Sequence, residues 1–138
     1  MKQMTDSNSS LIVLQHGEEL HSALTDYARE NGVKSAWLSG LGGTSKATLG
    51  FYNIETKSYE WKEFSGPLEI ISLTGNLSMV DGEPFWHIHG ALSDRNFQTF
   101  SGHVKELVTG PTCELHITPL SLSLTREFDD VTGLKLLK

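Results

Sequence analysis

The sequence predicts an α+β fold, with one mostly antiparallel sheet, one main amphipathic helix and a single domain. Three observations carry this. A chain of 138 residues suits one domain with its own core. Apolar and polar residues alternate in short runs separated by turn residues through most of its length. Only one stretch, "GEELHSALTDYARENG", places apolar residues at helical spacing.

The elements follow in order. "MKQMTDSNSS", residues 1–10, reads as a polar leader, which leaves residues 11–138 as the domain. It lacks the apolar segment of a signal peptide, and no later stretch approaches the ~20 apolar residues of a membrane span. "LIVLQ", from Leu11 to Gln15, is a short strand. In the helix, Leu20, Leu24, Tyr27 and Ala28 form the apolar stripe, with Glu18 and Glu19 in the first turn and Gly32 as the stop. A length of about 13 residues is expected, with His21 beside the stripe and solvated.

"VKSAWLSG" is the next strand, and "GLGG" (Gly40–Gly43) a glycine bend before another. A phosphate-loop reading fails here. No helix begins at those glycines to meet a phosphate, and the lysine-serine pair of a P-loop is absent. "LGFYNIETKSYEWKEF" reads as a hairpin turning at Glu55-Thr56-Lys57. "PLEIISLTGNLSMV" adds a strand with a bend or bulge at Gly75-Asn76. A second hairpin turns at Asp94-Arg95-Asn96, and "TCELHITPLSLSLTREF" supplies one or two more strands limited by Pro119. The tail keeps Leu134, Leu136 and Leu137, so it should dock on something rather than dangle.

Charge narrows the function classes. Net charge is −6, from 17 acidic and 11 basic residues. Arg29, Arg95 and Arg126 are far apart and the lysines are scattered, so the basic cluster expected of a nucleic-acid binder is missing from the linear sequence. Cys113 is the only cysteine and reads as a small packing residue. No intrachain disulfide can form, which fits a reducing compartment, and the cytoplasm is the expected location.

"PFWHIHGAL" holds the most informative pattern. His87 and His89 share one face of a strand while Ile88 takes the other. A three-residue loop at Asp94-Arg95-Asn96 would pair Ser93 with Phe97 and therefore His87 with His103. Directly opposed side chains have Cβ atoms about 4.5–5.5 Å apart, close enough for two imidazoles to share an ion. A loop of even length would put His103 on the wrong face, and a bulge at Gly102 would change the parity again. Three neutral imidazoles suit zinc or another first-row divalent metal and leave a coordination position open. Three ordinary histidines, two of them half-buried and hydrogen-bonded to backbone, fit the spacing equally well. His16 and His116 read as structural or exposed. Glu69 and Glu83 are acidic residues that precede the histidine pair, either one a base or ligand that nothing in the sequence positions. No nucleophile elbow is present, since "GTSKA" fails at its last residue.

Glu69-Ile70-Ile71-Ser72-Leu73-Thr74-Gly75-Asn76, then His87-x-His89, then Gly102-His103 occur in an order that resembles the plants-and-prokaryotes-conserved (PPC) domain family. The upstream "GLGG" with "LGFYNIETKSYEW" and the later "LTREFDDVTGLKLL" also look like its stand-alone prokaryotic members. The resemblance runs from about Leu11 over nearly the whole chain. Ser101 departs from the usual Gly-Gly-His-Leu, as does Val104, and both changes bear on backbone geometry more than on ligation.

The resemblance implies a homotrimer of α+β domains, with metal on His87, His89 and His103 as in some prokaryotic members. It also implies a relation to plant AT-hook nuclear-localised proteins, in which DNA contact comes mainly from an Arg-Gly-Arg-Pro hook that this sequence lacks. Three functions compete. The first is a trimeric metal-binding module with a protein or small-molecule partner, in a binding or regulatory role. The second is a metal-dependent enzyme acting on a small molecule, and the third a DNA-binding protein.

Overall fold

The structure is a computed structural model that describes residues 1–138. Eight strands and one helix follow in the order β1 (Lys2–Thr5), β2 (Ser10–Gln15), α1 (Leu20–Glu30), β3 (Ala36–Asn53), β4 (Ser58–Val80), β5 (Glu83–Ser93), β6 (Thr99–Pro119), β7 (Arg126–Asp129) and β8 (Leu134–Leu137). The first six form one antiparallel sheet in the order β1-β2-β6-β3-β4-β5. That sheet curls until β5 also pairs with β6, closing β3, β4, β5 and β6 into a ring. The predicted α+β class and single domain hold.

Three strands are much longer than the sequence suggested. β3, β4 and β6 each run through glycines or a proline that read as interruptions. The "GLGG" stretch lies inside β3, where the register slips between Gly40 and Gly42, so it is a bulge within one strand and not a bend between two. Gly42 takes φ +147°, and a Cβ there would lie 2.3 Å from the Thr112 carbonyl oxygen. Only glycine permits that approach of β6. Gly75-Asn76 is regularly paired on both sides, and the irregularity of β4 against β5 falls between Ile70 and Ser72. The polar leader also needs correcting: Lys2–Thr5 adds an edge strand to β2.

α1 spans 11 residues, shorter than expected because Glu19 is its N-cap. The Glu19 carboxylate accepts from the His21 and Ser22 amides at 3.1 and 2.8 Å. Leu20, Leu24, Tyr27 and Ala28 are its buried face, as the stripe predicted. Glu19→Ala is expected to cost about 1 kcal/mol, read as a lower urea midpoint with unchanged slope. The helix stripe joins alternate residues of the ring strands, among them Leu38, Leu73, Ile88 and Leu115, in one core of 22 buried residues. Cys113 lies within it, and burial pushes its thiol up to about 12, so it packs and does not react.

The tail docks, but through polar groups. β7 and β8 form a separate hairpin, with Leu136 and Leu137 still exposed. It is held where Arg126 Nε donates to Ser78 Oγ at 2.9 Å and where the Met79 amide donates to the Leu124 carbonyl at 2.9 Å. No helix is long and apolar enough to cross a membrane.

Candidate metal centre

β5 alternates as predicted, with Trp86, Ile88 and Leu92 in the core and His87 and His89 on the opposite face. The hairpin joining β5 to β6 differs from expectation. Ser93 pairs with Thr99, which leaves the five residues Asp94–Gln98 in the loop. Asp94 stabilises the longer turn, its carboxylate accepting from the Asn96 and Gln98 amides at 2.8 and 3.0 Å. Phe97 adopts φ +60° there. Five is odd, so the faces survive while the pairs shift by two: His89, not His87, stands directly opposite His103. The bulge considered at Gly102 lies further on, where Thr48 faces Glu106 and Leu49 faces Val104, leaving Lys105 as the extra residue. Gly102 serves close approach instead, since a Cβ there would lie 2.8 Å from the Gly50 carbonyl oxygen of β3.

The result is a compact triangle on the seam where the ring closes. One ligand nitrogen from each of His87, His89 and His103 lies within 4.8 Å of the others. His87 Nε2 and His89 Nε2 are 3.2 Å apart, and the ring centroids are separated by 5.0 to 5.5 Å. Tyr59 backs His103 with ring centroids 5.0 Å apart and stacks on Trp61 at 4.5 Å.

Burial pushes the His87 imidazole down from 6.5 to about 4, helped by the Arg126 cation and His89. His103 falls to about 4 by burial and by repulsion from the other two imidazoles. Both are therefore neutral at pH 7, the form a metal requires. His103 Nδ1 is buried without a hydrogen-bond partner. A lone polar nitrogen beside two further imidazoles fits a first-row divalent metal, which prefers nitrogen donors at about 2.0–2.1 Å in the case of zinc. Such a metal, held by His87, His89 and His103, would supply Lewis acidity there.

The same shifts set a pH dependence for the metal-free protein. The unfolded chain binds protons at these two histidines near pH 6.5, and the folded chain only near pH 4. Their contribution to stability is complete above pH 6.5 and is lost as pH falls toward 4. Urea midpoints should drop across that window and recover part of the loss in His87→Ala.

The other sequence candidates lie elsewhere. Glu83 pairs with Arg29 at 2.7 Å, and Glu69 is exposed beside Ser93 near the hairpin end. His116 is exposed, and His16 Nδ1 lies 2.9 Å from the Gly110 carbonyl oxygen. His21 is not solvated as expected, because its Nε2 lies 3.0 Å from the Val104 carbonyl oxygen, beside His103. The residue that sequence reasoning missed is Arg126. Its Nη2 donates to Asn76 Oδ1 at 3.0 Å and approaches His87 Nδ1 at 3.4 Å. Its position in "LTREFDD" was the only available signal, and nothing local connects it to a histidine 39 residues away.

Solved structures share this architecture. A metal-containing protein from Archaeoglobus fulgidus is 35% identical, with TM-score 0.89 over 100% of this chain and 99% of its own. A candidate DNA-binding protein from Ralstonia eutropha is 32% identical, with TM-score 0.93 over 99% of this chain and 95% of its own. A plant- and prokaryote-conserved (PPC) protein from Pyrococcus horikoshii is 28% identical, with TM-score 0.89 over 99% and 93% of the two chains. No curated protein matches. The sequence profile of the Plants and Prokaryotes Conserved (PCC) domain covers residues 1–121, and the chain belongs to that family.

Proposed function

We propose that this protein is a homotrimeric metal-binding module of the cytoplasm, with zinc or another first-row divalent ion on His87, His89 and His103 and a binding or regulatory role. The observation that carries the reading is the convergence of three imidazole nitrogens within 4.8 Å, two of them on residues kept neutral by burial. Similarity to a metal-containing protein at 35% identity supports it. Exposed large apolar residues, including Trp37, Leu41, Phe51 and Ile71, supply surface for the proposed self-association.

DNA binding, named for the Ralstonia relative, has less physical support here. The 11 basic residues are outnumbered by 17 acidic ones, and Arg29, Lys46 and Lys135 are each tied to a carboxylate at 3.3 Å or less. The test is elemental mass spectrometry on untagged protein purified without chelator, with His87→Ala and His103→Ala, alongside sedimentation analysis. One metal per chain, lost in both variants, with a trimeric mass supports the reading. A metal-free protein after supply of zinc and related ions would remove it. Steeply salt-dependent binding to duplex DNA would favour the alternative.

A further inference from the structure

The chain carries 17 acidic residues, yet none meets the histidine site. The ion pairs of the fold engage Glu18, Glu83, Glu63, Glu106 and Asp81, and Arg126 belongs to none of them. The Arg126 guanidinium contacts only neutral groups, on Ser78, Lys135, Asn76 and His87, which leaves one of its N–H groups spare. A divalent ion on three neutral imidazoles beside this cation would leave a half-buried cluster of positive charge without a counter-charge.

Next to His103 lies a cleft of about 270 Å³, just below the usual range for small-molecule pockets. His21, Trp61, Phe85, Trp86, His103 and Lys105 line it, and no acidic residue does. Lys105 is the bulged residue of β6, and its ammonium lies 4.9 Å from the Trp61 ring centroid. Phe85 carries the Arg126 guanidinium 5.2 Å from its own ring centroid. Trp86, only 3% exposed, has an indole N–H buried without an acceptor. One cation, Lys105, and aromatic walls therefore line this small opening, and Arg126 lies against the Phe85 ring between it and His87.

We propose that this cleft and the histidine site together bind a small carboxylate bearing an apolar or aromatic substituent, with Arg126 and Lys105 as its charge partners beside the metal. The proposal rests on the metal reading above.

The test uses cobalt(II) as the metal and benzoate as the probe, followed by the visible absorption of the bound cobalt and by calorimetry. Benzoate should perturb the cobalt spectrum of the wild type. Loss of one charge-assisted contact should weaken benzoate by about tenfold or more in both Arg126→Met and Lys105→Met, without weakening cobalt. Lys105 is exposed, so Lys105→Met remains informative if Arg126→Met fails to fold. Cobalt uptake with no response to benzoate would overturn the proposal and leave the metal reading standing, as would equal benzoate affinity in Lys105→Met. Inorganic phosphate binding more tightly than benzoate would overturn the carboxylate assignment. Failure to take up cobalt would overturn both readings.

Discussion

His89→Ala is expected to lower metal affinity by more than about 100-fold, because even loss of a supporting partner behind a ligand costs about 10–100-fold. The fold should scarcely change. His89 is exposed and faces away from the core, so its truncation belongs with surface substitutions that shift stability by roughly 0.5 kcal/mol or less. His103→Ala should lose metal to the same degree but destabilise more, since its ring packs on Tyr59 and Trp61. Competition against a chromophoric chelator measures the first effect and urea unfolding the second. Metal retained at wild-type affinity by His89→Ala would place the ion elsewhere.

Gly75→Ala is expected to be the most damaging small substitution near the site. A Cβ there would lie 2.4 Å from the His87 carbonyl oxygen and 2.9 Å from Ile88 Cγ1. The obstacle is the backbone of β5 itself, which can give way only by breaking its pairing with β4. A loss of roughly 3 kcal/mol follows from such overpacking, with weaker metal binding because His87 moves with its strand. Gly82→Ala is the control. It meets nothing within 4 Å and has only its φ of +85° to oppose it, so about 1 kcal/mol is expected. Equal urea midpoints for the two variants would contradict the packing argument.

The parts of the site that depend on local period were legible in the sequence. Alternation alone puts His87 and His89 on one face, and an odd loop of any length brings His103 to the same side. The pairing itself was not legible, because it depends on the loop's own hydrogen bonds through Asp94. Helix α1 was read from its stripe, whereas its start depended on whether Glu19 joined the helix or capped it. The long strands were hidden for a shared reason. Glycines such as Gly42 and Gly75 look like breaks in a linear pattern, yet in the sheet they let neighbouring backbones approach. Arg126 was illegible because its contacts with Asn76 and His87 bridge parts of the chain that only the closed sheet brings together.

Closure of the sheet through β6 also governs the order of assembly. β6 is the main-sheet partner of β2, the second partner of β3 and the strand that closes on β5. While the chain is being made, β3, β4 and β5 can form a meander as they emerge, but β2, paired only with β1, must wait for its second partner until Thr112–Ile117 have been added. Contacts of such long sequence separation make folding slow, on the order of milliseconds to seconds. An unfinished chain would present the open edges of β2 and β3 to its surroundings, and β6 is the segment that withdraws both.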